Sequence, residues 1–181
     1  MSYLEELTEI INIAYMGKEK SLMEIEKKFT ISKLPEQLEQ YPCIHIEQGY
    51  LCTGPVVRIR KANDSYILTY KNKTGIDEDA IQTKVHNEVE LPLTEEAYQH
   101  LRSKVDGKII EKRRYVIPLE DGLKAELDVF GGYLEGLVFA EVEFSDIEQA
   151  TSFQKPEWFA EDVSRDYRYS NTYLSSIERW K

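Results

Sequence analysis

Apolar and charged residues alternate at spacing two along much of this chain. In Met23-Glu24-Ile25-Glu26-Lys27-Lys28-Phe29 the charged Glu24, Glu26 and Lys28 share one side of an extended strand, and Ile25 and Phe29 share the other. The same alternation returns as Arg58/Arg60, Glu88/Glu90, Lys112/Arg114, Glu126/Asp128 and Glu141/Glu143. It predicts eight strands, over 23–31, 43–51, 55–61, 65–71, 84–91, 110–117, 123–130 and 137–144. They are rich in Val, Ile, Tyr and Phe, and Gly54-Pro55, Asn63-Asp64, Asp121-Gly122 and Gly131-Gly132 supply turns between them.

Helical spacing appears elsewhere. Leu4, Leu7, Ile10, Ile11 and Ala14 form a stripe over residues 2–16 that Gly17 ends. A second helix starts at Thr94, with Glu95 and Glu96 in its first turn. A third starts at Ser145, with Glu148 completing a capping box. A tyrosine-rich segment over 170–178 predicts the last. Residues 1–20 read as an N-terminal helical extension and 21–181 as one domain.

Short strands with few intervening helices argue against a doubly wound parallel sheet. The expected fold is α+β and mainly β: an eight-stranded antiparallel barrel, closed as a tunnel and flanked by helices. Ile25, Phe29, Val57, Ile59, Val89, Leu91, Val142 and Phe144 would then point outward under the helices. The charged set would point inward.

Composition narrows the function. Charged residues make up 31% of the 181, and the net charge is −10. Such acidity disfavours nucleic acid and anionic membranes as partners, since both need a basic footprint. No apolar run approaches the roughly 20 residues of a membrane span. The N-terminus, with Glu5, Glu6 and Glu9, lacks the layout of a secretory signal. Cys43 and Cys52 are too few for a disulfide framework and read as small hydrophobes. A cytoplasmic protein with reduced thiols is expected.

A single pair of like charges on a strand reads as a solvated face. Six such pairs do not, because same-sign neighbours destabilise a sheet unless something neutralises them. With Lys28 and Lys71 the set holds six cations (Lys28, Arg58, Arg60, Lys71, Lys112, Arg114). Against them stand eight carboxylates (Glu24, Glu26, Glu88, Glu90, Glu126, Asp128, Glu141, Glu143). Carboxylate oxygens suit Mg²⁺ or Mn²⁺, and Arg and Lys suit phosphate oxygens. Both facing one cavity would fit a metal-bound phosphoanhydride.

The order of these motifs resembles the CYTH, or triphosphate tunnel metalloenzyme, family. Its E-x-E-x-K signature matches Glu24-Ile25-Glu26-Lys27-Lys28. Gln48-Gly49-Tyr50-Leu51, Val57-Arg58-Ile59-Arg60 and Leu68-Thr69-Tyr70-Lys71 follow. Asn87-Glu88-Val89-Glu90-Leu91, Glu111-Lys112-Arg113-Arg114-Tyr115, Ala125-Glu126-Leu127-Asp128 and Ala140-Glu141-Val142-Glu143 complete the series. Lys155-Pro156-Glu157-Trp158 and Tyr169-Ser170-Asn171-Thr172-Tyr173-Leu174 look like the family's tail. The resemblance covers residues 23–175.

It implies a tunnel enzyme that uses Mg²⁺ or Mn²⁺ on triphosphate-bearing substrates, and it looks most like a bacterial inorganic triphosphatase. In that reading Lys28, Arg58, Arg60, Lys71, Lys112 and Arg114 grip the phosphates. Glu24, Glu26, Glu141 and Glu143 hold metal. Glu26, Lys28, Arg60 and Glu90 carry catalysis, Glu90 or a second metal orienting the attacking water. Glu126 and Asp128 orient the basic residues, and Glu88 is open between metal contact and that supporting role. A class IV adenylate cyclase, a thiamine triphosphatase and a non-catalytic polyphosphate binder remain the alternatives. Residues 1–20 would cap the tunnel or mediate a homodimer. His45, His86 and His100 read as surface or structural residues, and Lys155, Arg165, Arg168 and the C-terminal tyrosines as packing near a tunnel mouth.

Overall fold

A computed structural model of the chain describes residues 23–73 and 84–181. The helix expected over 2–16 lies outside the described residues. The strands are β1 (Met23–Ile31), β2 (Cys43–Thr53), β3 (Val56–Ala62), β4 (Ser65–Lys73), β5 (Lys84–Pro92), β6 (Asp106–Pro118), β7 (Lys124–Phe130), β8 (Val138–Phe144) and β9 (Phe159–Asp162). The α-helices are α1 (Glu95–Arg102), α2 (Ile147–Ser152) and α3 (Asn171–Leu174). Among the described residues no helix is long and apolar enough to cross a membrane.

All strand pairings are antiparallel, in the order β5-β4-β3-β2-β6-β7-β8-β1-β9. β1 pairs with β8 along one side and with β5, the strand at the far end of that order, along the other. The β3–β4 turn shows the local logic. Asn63 takes φ 50°, a left-handed conformation that asparagine tolerates better than most residues. Its side-chain oxygen accepts from the His45 N–H at 3.0 Å, and its own N–H donates to the His45 carbonyl at 2.9 Å.

Eight strands sit where alternation predicts them, with ends moved by a few residues; β6 starts four residues early. The ninth, β9, was not expected. Its four residues are too short to display a period, and it forms by pairing Phe159 and Asp162 with Ile31 and Phe29 of β1. α1 has the expected cap: the Thr94 hydroxyl accepts from the Ala97 N–H at 3.2 Å. α2 is capped one residue later than expected. Asp146, not Ser145, accepts from the Gln149 N–H at 2.8 Å, while the Gln149 side chain accepts from the Ser145 N–H at 2.9 Å. Aspartate caps a helix as well as serine does, so adjacent candidates compete. The helix expected over 170–178 shortens to one turn, capped by the Ser170 hydroxyl on the Tyr173 N–H.

Apolar residues bury on both faces of the sheet. Ile25 and Phe29 of β1, Ala125 and Leu127 of β7 and Ala140, Val142 and Phe144 of β8 form one cluster beneath α2 and Phe159. The Phe29 and Phe159 rings stack at 4.8 Å. Ile59 is fully buried, and α1 lies across β3 and β4. Val89 and Leu91 depart from expectation: both are exposed. A second cluster, on the strand face that carries the charges, joins Tyr50, Ile110, Phe130 and Phe139 to Leu134, Leu137 and Leu174. Tyr133 ties that end shut by donating its hydroxyl to the Leu174 carbonyl at 3.1 Å.

Leu127 is fully buried between Glu126 and Asp128 on β7. Leu127→Ala should cost about 2–5 kcal/mol in urea unfolding, as other buried leucine truncations do.

Candidate active site

Strand register alone places the fourteen charged groups on one face. Residues paired directly across antiparallel strands share a face. Glu26 pairs with Glu143 and Lys28 with Glu141; Glu141 then pairs with Glu126. Asp128 pairs with Arg114, and Lys112 with Ile46 of β2. Along β2, Gln48 pairs with Arg60 and Tyr50 with Arg58. Arg58 leads to Thr69, Thr69 to Glu90, and Lys71 to Glu88. The chain of pairs is unbroken from β1 round to β5.

The basic groups are held at very different degrees of neutralisation. Arg114 is the best anchored: its Nε and Nη2 donate to the two oxygens of Asp128, each at 2.7 Å, and it also meets Glu126 and Glu141. Lys112 donates to the same Asp128, which is fully buried. Lys28 sits 2.9 Å from Glu141, donates to the Tyr169 carbonyl at 2.9 Å, and stands 4.4 Å from the centre of the Phe139 ring. Arg58 donates to the Thr69 hydroxyl at 3.1 Å, with Glu88 and Glu90 at 3.5 and 3.7 Å.

Arg60 differs. Its Nε, like that of Arg58, is buried with no hydrogen-bond partner, but unlike Arg58 it forms no salt bridge among the described residues. Burial, then the positive charges of Arg58 and Arg114, push its affinity for the proton down to about 10. Burial and Arg114 likewise push Lys112 down to about 8, despite Asp128. This wall holds more positive charge than its own carboxylates offset. An arriving anion relieves that excess.

The opposite imbalance occurs between β1, β5 and β8. Glu24 contacts Lys71, which also lies 3.4 Å from Glu88. Burial, then Glu26, push Glu24 up from 4.5 to about 8, Glu88 adding to the effect and Lys71 opposing it. Glu143 is also raised, by burial and then by Glu126, with Glu26 and Glu88 contributing. Burial acts against Glu141, yet Lys28 and Arg114 hold it well below the usual carboxylate range. Glu141 is thus committed to two cations, while Glu26 repels both Glu24 and Glu143. Among the described residues no three His, Cys, Asp or Glu are already gathered in metal-holding geometry. The donor set nevertheless has the right chemistry: crowded carboxylate oxygens with raised proton affinity suit a hard divalent cation.

Sequence reasoning singled out charges and passed over the neutral polar groups among them. Gln48 and Thr69 are fully buried on the same face, and Tyr50 nearly so. The Thr69 hydroxyl donates to Glu90 at 3.2 Å while accepting from Arg58. The Gln48 Nε2 donates to the Tyr50 hydroxyl at 3.0 Å. The signal was present, since Gln48 and Tyr50 keep the spacing of two. Elsewhere, His45 and His100 are exposed, and Cys43 and Cys52 are half-buried free thiols, less enclosed than expected. Lys155 donates to the Ala160 carbonyl, and Arg168 pairs with Asp166 in solvent at 2.6 Å.

A carboxyl group whose proton affinity rises on folding stabilises the fold at low pH and loses that contribution as pH climbs. For Glu24 the window runs from about 4.5 to about 8. Thermal unfolding without divalent cations should therefore show a Tm that falls across this range. Glu24→Gln should flatten the fall.

No protein-family profile matches the chain. An inorganic triphosphatase from Nitrosomonas europaea is 34% identical over 158 residues, spanning 85% of this chain and 97% of its own. An inorganic triphosphatase from Acetivibrio thermocellus is 38% identical over 162 residues, spanning 88% and 94%. A crystal structure of an inorganic triphosphatase superposes with a TM-score of 0.63 at 32% identity, over 87% of this chain and 97% of that one. With relatives this similar over nearly their whole length, the chain belongs to the inorganic triphosphatases of the CYTH, or triphosphate tunnel metalloenzyme, family.

Proposed function

We propose that this protein hydrolyses inorganic triphosphate to pyrophosphate and phosphate, with Mg²⁺ or Mn²⁺, inside a tunnel made by strands β1 to β8 closing through the β1–β5 pairing. The observation that carries the reading is Arg60. A guanidinium whose Nε is buried with no hydrogen-bond partner, and which forms no salt bridge among the described residues, sits in the field of Arg58 and Arg114 and favours a multiply charged anion. The names and coverage of the relatives select triphosphate among such anions.

Phosphoryl transfer needs positioning and charge neutralisation more than covalent chemistry. Arg58 and Arg60 meet phosphate oxygens on one wall, Lys112 and Arg114 on the next, and Lys28 and Lys71 on either side of the acidic group. Arg58 and Arg114 reach the substrate in fixed orientations because Thr69 and Asp128 already hold them. Tyr50 pairs with Arg58 across β2 and β3, and its hydroxyl, which accepts from Gln48, is free to donate to a phosphate oxygen. Glu24, Glu26 and Glu143 would hold the divalent cation, which when bound supplies positive charge to the phosphate oxygens. Glu141 serves instead to fix Lys28 and Arg114. Glu90, half-exposed and steadied by Thr69, orients the attacking water and takes up its proton.

Purified protein incubated with Mg²⁺ or Mn²⁺ should release phosphate from triphosphate far faster than from ATP, thiamine triphosphate or long-chain polyphosphate. Cyclic AMP formed from ATP would overturn the reading in favour of a cyclase. Chelation should abolish the release. Arg60→Ala and Glu26→Gln should each lower kcat/KM by about 100-fold or more, the scale of losing one preorganised electrostatic contact. Circular dichroism of both variants should match the parent; loss of fold would mean those groups are structural.

A further inference from the structure

Gln48 is a buried amide that the mechanism above does not use. It is fully excluded from solvent on β2, directly across from Arg60 on β3 and Ile110 on β6. Its Nε2 donates to the Tyr50 hydroxyl at 3.0 Å, while its Oε1 is buried with no partner. A buried unsatisfied carbonyl oxygen weakens a fold, so stability does not explain why glutamine stands here.

The orientation of Tyr50 does explain it. A phenol has one proton to donate and lone pairs to accept with. Tyr50 pairs directly with Arg58 across β2 and β3, with Arg60 two residues further along β3, and the charges of Arg58, Arg60, Lys28 and Lys71 act on it, all of them donors. Left alone among donors, the hydroxyl oxygen would turn to accept from one of them. The Gln48 amide occupies that accepting position, so the hydroxyl proton must point elsewhere. Among the described residues no side chain accepts it. The oxygen that fits is one brought in by the substrate.

We propose that Gln48 is a positioning residue: by donating to the Tyr50 oxygen it fixes the tyrosine as a hydrogen-bond donor aimed at the phosphate chain. The inference rests on the triphosphatase reading and adds a second layer to it. Gln48 touches no substrate itself. Its oxygen is left unsatisfied because the amide can face only one way: with its oxygen toward Tyr50 it would accept the proton meant for phosphate.

The test compares wild type, Gln48→Met, Tyr50→Phe and the double variant on triphosphate with Mg²⁺, reading kcat, KM and Tm. Each single variant should lower kcat by about tenfold or more with KM changed less than about twofold. The double variant should lose no more than the worse single, because both changes remove one interaction. Gln48→Met should have a Tm equal to or above wild type, since it removes an unsatisfied oxygen; a residue with a purely structural role would lower it. Gln48→Glu keeps the size but accepts the tyrosine proton, and should lower kcat further than Gln48→Met. Losses that multiply in the double variant, or a kcat within about twofold of wild type in either Gln48 variant, would overturn the inference. If wild type itself releases no phosphate, the triphosphatase reading fails and this inference with it.

Discussion

Asp128 is the pivot on which the charged face turns. It is fully buried and takes hydrogen bonds from both Arg114 and Lys112. Removing ionised groups from water costs several kcal/mol per ion unless each finds partners of good geometry. One carboxylate here makes the burial of two cations tolerable, and Arg114 in turn holds Glu126 and Glu141. Glu141 then holds Lys28. Placement of five functional groups on four strands therefore descends from a single aspartate. The apolar bed of Leu127, Ala140 and Val142 behind β7 and β8 keeps those strands rigid enough to support it.

Against this satisfied network stand the groups the fold leaves unbalanced. Arg60 forms no salt bridge among the described residues, and Glu24 and Glu143 hold protons too tightly. Positive excess gathers on the β3–β6 side and negative excess around β1. Proteins surrender such local consistency where a ligand restores it. The separation of the two excesses by only a few strands suits a substrate that is itself an anion accompanied by cations.

Much of this was legible in the sequence because a strand's period of two is rigid: once Glu24, Glu26 and Lys28 share a side, pairing with β8 forces Glu141 and Glu143 onto it as well. What escaped notice had other causes. β9 exists through its contact with β1 rather than through any pattern of its own. Asp146 displaced Ser145 because neighbouring caps compete within a fraction of a kcal/mol. The division of labour between Glu141 and Glu143, two residues apart on one strand, depends on which cations lie beside them. Gln48 and Tyr50 were hidden by neutrality, since a search for charge has no reason to stop at an amide.

The anchoring of β1 has a temporal consequence. The main-chain N–H of Lys28 donates to the Ser164 hydroxyl at 2.9 Å, and the Lys28 carbonyl accepts from the Val163 N–H at 2.8 Å. The first of these bridges 136 positions. Contacts so distant along the chain are slow to form. During synthesis, β1 must wait on the ribosome for neighbours that have not yet been translated, so the charged face cannot assemble piecemeal as the polypeptide emerges. A ribosome that stalls before Val163 releases a product in which Lys28 lacks the main-chain contacts that anchor β1.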